Sequence, residues 1–258
     1  MPERIARLIL QCLILTSAIL LIAPEISAKE KPVGRSVRSQ LPPGAILILT
    51  FENDTLRRKN GKLIEVIDLA RGVVGKVIGD AIVVQGKVGN GLEFAGDGSY
   101  VEISGEFPIG AQPRSMAAWL KARETSPEPG YCCLVMGTGG DNKAFAIRLG
   151  TGMQGWFFWH GNHHFDTKIV ADKDWHHHCV TYDGATVTYF LDGHEVASVK
   201  RVMNTAAGPL VLGTCPDKKR SFRGMIDEVA VFDRALSAAE VERLYQMGEK
   251  GILLASPH

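Results

Sequence analysis

Residues 44–248 predict an all-β chain: an antiparallel sandwich or barrel closed by one short C-terminal helix. Three observations carry this. Short apolar runs, about a dozen of them, are separated by clusters of Gly, Asp and Asn at the spacing of strands and turns. No segment before Ser237 shows helical periodicity. After Ser237 comes a capped, one-sided helical segment too short to be stable by itself, which must lie on something larger.

In chain order, Arg4 and Arg7 precede the apolar stretch "LILQCLILTSAILLIA" (residues 8–23), and Ile26, Ser27 and Ala28 supply small residues for cleavage. Residues 1–28 read as a secretory signal peptide, so the chain is expected to be secreted, periplasmic or held at the cell surface. An uncleaved anchor is the alternative, although the apolar stretch falls short of the roughly 20 residues that span a bilayer. Residues 29–43, "KEKPVGRSVRSQLPP", are charged, carry Pro and lack a hydrophobic period, as a linker does. The apolar runs begin with "AILILTF" and continue through "AIVVQG", "GLEFAG", "SYVEIS", "SMAAWLKA", "CCLVMG", "AFAIRLG" and "GWFFWH" to "GPLVLGT". Within "TYDGATVTYFLDGHEVASV", Asp183-Gly184 and Asp192-Gly193 are hairpin turns around the alternating Val187, Tyr189 and Leu191, which predicts a three-stranded meander. "MIDEVAVF" (225–232) is a strand-length apolar run interrupted by Asp227 and Glu228.

Ser237 and Glu240 then form a capping box, and Leu236 can staple onto Val241. Val241, Leu244 and Tyr245 share one side, and Gly248 is placed as a left-handed cap. Residues 249–258 read as a short tail. With no internal repeat and no second break in composition, residues 44–248 form one domain.

The 258 residues are 45% hydrophobic and 22% charged, ordinary globular values that allow a sizeable core. The 29 basic and 28 acidic residues leave a net charge of +1, so nothing attracts nucleic acid or an anionic membrane at long range. No nucleic acid is expected as partner, and no membrane once the signal is removed. Cys12 would leave with the signal. Cys132, Cys133, Cys179 and Cys215 remain and allow three full pairings in an oxidising compartment, with buried free thiols as the alternative. Adjacent Cys132 and Cys133 face opposite sides of a strand, so one can pair while the other packs.

"QGKVGNGLEFAGDGSYVEI" (85–103), "SMAAWLKA" (115–122), "DWHHHCVTYDGATVTYFLDG" (174–193), "GPLVLGT" (208–214) and "GMIDEVAVFDRALSAAEVERLY" (224–245) occur in an order and spacing that resembles the laminin-G-like, concanavalin A-like domains of secreted bacterial proteins. The resemblance implies a two-sheet antiparallel jelly-roll sandwich with the short helix lying against it. It also implies a structural calcium ion near the first strand, at positions matching Glu52 or Asp54, Gly98 and Asp227. One position departs from the pattern. His178 stands where the family usually has an apolar residue, and if it points into the core it must be hydrogen-bonded.

Relatives of this fold include glycoside hydrolases that set two carboxyl groups about 5–5.5 Å apart for retaining cleavage. Their Glu-x-Asp-x-x-Glu spacing does not occur here, and adjacent Asp227 and Glu228 would face opposite ways on a regular strand. In "GWFFWHGNHHF" (155–165), Trp156, Phe158 and His160 share one strand face and Phe157 and Trp159 the other. One set can fill the core while the other stacks on a sugar, so Trp156, Trp159, His160 and His163 are the candidate ligand-binding residues. The alternative is that both sets are packed. His176 and His178 share a face, but no third metal ligand is spaced to join them. "GKVGNG" (86–91) leads into a strand and lacks the ending of a phosphate loop. The sequence therefore reads as a secreted, monomeric, non-catalytic module for a carbohydrate or an extracellular protein. A hydrolase with atypical acids and a cell-surface scaffold are the alternatives.

Overall fold

The computed structural model describes residues 41–125, 130–150, 155–161 and 163–255. The expected signal peptide, and the expected linker before Leu41, lie outside the described residues. The strands are β1 (Ala45–Leu49), β2 (Leu56–Lys59), β3 (Lys62–Ile67), β4 (Val74–Ile78), β5 (Ile82–Gln85), β6 (Asn90–Ala95), β7 (Tyr100–Ile103), β8 (Arg114–Ala122) and β9 (Tyr131–Gly137). They continue with β10 (Ala144–Gly150), β11 (Gly155–Trp159), β12 (His164–Ile169), β13 (Trp175–Tyr182), β14 (Thr186–Leu191), β15 (His194–Lys200), β16 (Leu210–Leu212) and β17 (Arg223–Phe232). Helix α1 (Ala238–Glu249) follows. No helix among the described residues is long and apolar enough to cross a membrane.

The strands form the expected two antiparallel sheets. One runs β15-β14-β13-β8-β17-β6-β5, with β1 also paired to β17; the other runs β12-β11-β10-β9-β16-β7-β4-β3-β2. Alternate residues point inward, so Met116, Ala118 and Leu120 of β8 meet Leu134, Ile147 and Phe158 of the second sheet in one continuous core. The β13-β14-β15 meander is as the turns predict, and Asp192 and Gly193 both take positive φ, 48° and 83°. Strands β2, β3, β4 and β12 have no counterpart among the runs read from the sequence. Charged residues such as Arg57, Arg58 and Lys76 point to solvent from β2 and β4 and interrupt the apolar pattern there.

Strand β17 changes partners midway. Arg223–Ile226 pair with β6, Val229–Phe232 pair with β1, and β8 runs along the other side throughout. A bulge at 227–230 makes the transition, with Glu228 at φ 48°. The bulge breaks strict alternation, and both Asp227 and Glu228 become buried.

On the outside of the first sheet, Ala117, Phe190, Ala230 and Phe232 form a second apolar cluster with Leu236, Val241 and Leu244 of the helix segment. Both halves of the Ser237–Glu240 capping box are present. Gly248 is not the left-handed cap. It lies inside the helix with the Trp119 indole where a Cβ would be, and Gly251 takes the positive φ of 67°. The segment expected as a short tail packs against the sheet as far as Ala255. Leu254 is buried in the second cluster, and its N–H donates to the Glu228 carboxylate.

Candidate functional site

The aromatic strand β11 is packed on both faces. Trp156 (2% exposed) and Phe158 (0%) point into the core, and Trp156 sits 4.3 Å from the His178 ring. Phe157 and Trp159 face outward yet are only 5% and 7% exposed. The Arg148 guanidinium lies 5.6 Å from each of those two rings. Neither Trp156 nor Trp159 therefore has a ring face free to stack on a sugar. His160 is buried, and desolvation, aided by the Arg201 charge, lowers its pKa to about 4. Of the four candidates only His163 is exposed, in a 2.8 Å pair with Asp141.

Strand register builds a different site. Glu65, Lys76, Glu102, Val211, Val135, Ala146, Trp159 and His164 are successive cross-strand partners, one row across the outer face of the nine-stranded sheet. Short side chains occupy its middle and larger or charged ones its flanks. At the Glu102–Val211 part of this row lies a cleft of about 460 Å³, lined also by Thr138, Pro216, Asp217 and Lys218. Lys218 Nζ donates to Glu102 Oε2 at 2.9 Å and sits 4.2 Å from the Tyr100 ring centre. Arg220 holds Asp217 at 2.9 Å. No sequence motif marks Asp217, Lys218 or Arg220, whereas Glu102 and Val211 fall in segments that carry the family resemblance. A second, larger cleft of about 750 Å³ opens beside Arg71, Phe107, Ile109, Gln112 and Asp233.

The four predicted calcium ligands separate into pairs of different fate. Glu52, just past β1, and Asp227, at the bulge, meet at the Gly86–Asn90 turn between β5 and β6. Glu52 Oε1 accepts the Asn90 N–H at 2.7 Å, and Asp227 Oδ2 accepts the Val88 N–H at 2.9 Å. The turn needs glycine, because a Cβ on Gly86 would strike Asp227 and one on Gly89 would strike Glu52. Asp54 points to solvent from the Asn53–Thr55 turn, and Gly98 lies past the far end of β6. Burial, and less strongly the Glu52 charge, raises the Asp227 pKa to about 7. Among the described residues no three His, Cys, Asp or Glu side chains converge on one point. The corner thus fits calcium in the hardness of its oxygens and falls short in their number.

The Laminin_G_3 family, described as the concanavalin A-like lectin/glucanases superfamily, matches residues 95–242, more than half of the chain. The chain belongs to this superfamily. No curated protein matches it in sequence. Among solved structures, domain 4 of AbnA, an extracellular GH43 arabinanase from Geobacillus stearothermophilus in complex with arabinotriose, is 18% identical with a TM-score of 0.63. That match covers 78% of this chain and 98% of the domain. The binding domain of Paraclostridial Mosquitocidal Protein 1 is 15% identical with a TM-score of 0.60, over 78% of this chain and 52% of that one. Trypanosoma rangeli sialidase is 16% identical with a TM-score of 0.60, over 82% of this chain but only 34% of the sialidase. Identities this low establish the concanavalin A-like fold alone.

At His178 the core accepts an imidazole. The ring is fully buried, with Nδ1 2.9 Å from Tyr189 Oη and Nε2 without a partner. Neighbouring His177 turns to the outer side against Trp119. His176 lies between Asp192 (2.6 Å) and Asp172 (3.0 Å), chiefly by the Asp192 hydrogen bond raised to a pKa of about 9. All three are accounted for by packing or carboxylate partners.

Proposed function

We propose that this concanavalin A-like domain is a non-catalytic module, exported by residues 1–28, that holds a short carbohydrate in the cleft over Val211. The observation that carries the reading is the cleft itself, floored by Val211 and walled by the Glu102–Lys218 pair, Thr138, Pro216 and Asp217. The superfamily and the arabinotriose complex of the AbnA domain support it. Glu102 and Asp217 each lie against a cation, an arrangement suited to hydrogen-bonding sugar hydroxyls more than to exchanging protons with a glycosidic oxygen.

Calorimetric titration with a panel of arabino-, gluco- and sialo-oligosaccharides tests this. Glu102→Gln and Lys218→Ala are each expected to weaken binding about tenfold, or about 1.4 kcal/mol, with an unchanged thermal midpoint. Affinity that survives both changes but falls with Arg71→Ala would move the site to the larger cleft. Release of reducing ends from a polysaccharide would make the protein a hydrolase. Binding to an envelope protein and to no glycan would replace the sugar by an extracellular protein ligand.

A structural calcium belongs to the same reading, held by Glu52 and Asp227 at the Gly86–Asn90 turn. Its role would be to neutralise buried carboxylates. At a hundredfold excess over its Kd such an ion adds about 2.7 kcal/mol, so chelation is expected to lower the thermal midpoint by roughly 5–10 °C. A midpoint indifferent to chelator removes the ion from the account.

A further inference from the structure

Four cysteines remain after the signal, and the fold places them in different surroundings. Cys179 is buried beneath α1 on the outside of the first sheet, in the second apolar cluster. Cys133 is the extra residue of a bulge, where the β9–β10 register shifts. Cys132 and Cys215 are in direct contact. The Cys132 backbone N–H donates to Cys215 Sγ at 2.9 Å, across 83 positions of sequence.

Cys215 belongs to the loop 213–222, which returns over the nine-stranded sheet and carries Pro216, Asp217 and Lys218 as one wall of the cleft. The loop is self-contained. Thr214 bridges Ser221, the Cys215 N–H donates to the Arg220 carbonyl at 3.2 Å, and Lys218 N–H donates back to the Cys215 carbonyl at 2.9 Å. Beyond its neck, where Gly213 N–H reaches the Cys133 carbonyl at 2.9 Å, it is tied to the sheet by the Lys218–Glu102 pair and by Cys215.

From this contact we propose that Cys132 and Cys215 are a disulfide-forming pair that pins the cleft wall to the sheet, while Cys133 and Cys179 stay thiols. Formation requires a disulfide oxidant, such as oxidised glutathione. The Cys215 thiolate attacks one sulfur of the oxidant and expels a glutathione thiolate, which takes up a proton. Cys132, on losing its proton, attacks Cys215 Sγ and expels the second glutathione, so two protein thiols are oxidised and one disulfide is reduced to two thiols. The local chemistry orders the steps. Cys132's hydrogen bond and the Arg220 and Arg148 charges lower the Cys215 pKa, whereas burial raises that of Cys132. Because both sulfurs are buried, exchange occurs before the loop closes or when it opens.

The full mature chain, refolded in a glutathione redox buffer, tests the pair by alkylation of free thiols after denaturation and by peptide mapping. The expected result is two alkylated cysteines and a peptide containing Cys215 linked to the 132–133 segment. The link is expected to persist in Cys133→Ser and to vanish in Cys132→Ser and in Cys215→Ser. Amide exchange across 215–222 is expected to slow at least tenfold on oxidation. Four alkylated thiols in the oxidising buffer would overturn the proposal, as would a link that survives Cys132→Ser. If Cys132→Ser fails to fold, Cys133→Ser decides alone: loss of its link assigns the bond to Cys133 and overturns the proposal.

Discussion

Trp156→Ala is expected to cost about 3–5 kcal/mol of folding stability while leaving the carbohydrate affinity of the folded fraction unchanged. The indole is 2% exposed in the core between the sheets, it contacts the His178 ring, and its strand neighbours in register are Leu149 and Ile169. Truncation leaves a cavity that packed sheets close only in part, so lost transfer energy and lost dispersion contacts add together. Urea unfolding followed by titration of the folded fraction separates the two effects. A variant of near-parental stability that no longer binds sugar would show that the ring faces a ligand after all, contrary to its packing.

The second large effect concerns the imidazole in the core. The advantage of His178→Leu over the parent chain is expected to grow as pH falls below 6.5, by up to about 1.4 kcal/mol per pH unit. Burial, followed by the charges of His176 and His177, holds the folded pKa of His178 well below its ordinary value. The unfolded chain therefore binds a proton below pH 6.5 that the folded chain refuses. The stability associated with the neutral ring is complete above pH 6.5 and is lost as pH falls towards the folded pKa.

His177, lowered by burial to about 4, acts in the same direction. His176, raised to about 9, contributes stability below pH 6.5 that is lost as pH rises through 9. Asp227 and Glu228, both raised chiefly by burial, favour the folded state at low pH and lose that contribution as pH rises. These opposing groups are present in both chains, so the difference between parent and His178→Leu isolates one ring. Leucine leaves Tyr189 Oη without its partner, a cost that does not vary with pH. Denaturant midpoints at pH 5, 6 and 8 check the result, and a difference constant across them would show that His178 takes up its proton as readily in the folded state as in the unfolded one.

What could be read from the chain alone is the set of features that neighbouring residues decide. Ser237 and Glu240 cap a helix because their side chains reach backbone groups three positions away. Asp192-Gly193 turns a hairpin because its two backbones accept positive φ. Alternation along β13 sorts His177 from His176 and His178 correctly, and the succession of such strands is enough to require two packed sheets. Tertiary structure decided the remainder. Period-two spacing says which side chains share a face but not what covers that face, and in "GWFFW" both sets are apolar, so no polar side marks the solvent. Register set Glu102 and Lys218 beside Val211, a bulge turned Asp227 and Glu228 away from regular alternation, and a returning loop chose Cys132 over Cys133 as the contact of Cys215. Each of these is a contact between residues far apart in sequence, where local preference has no purchase and only the closing of one sheet over the other selects the neighbour.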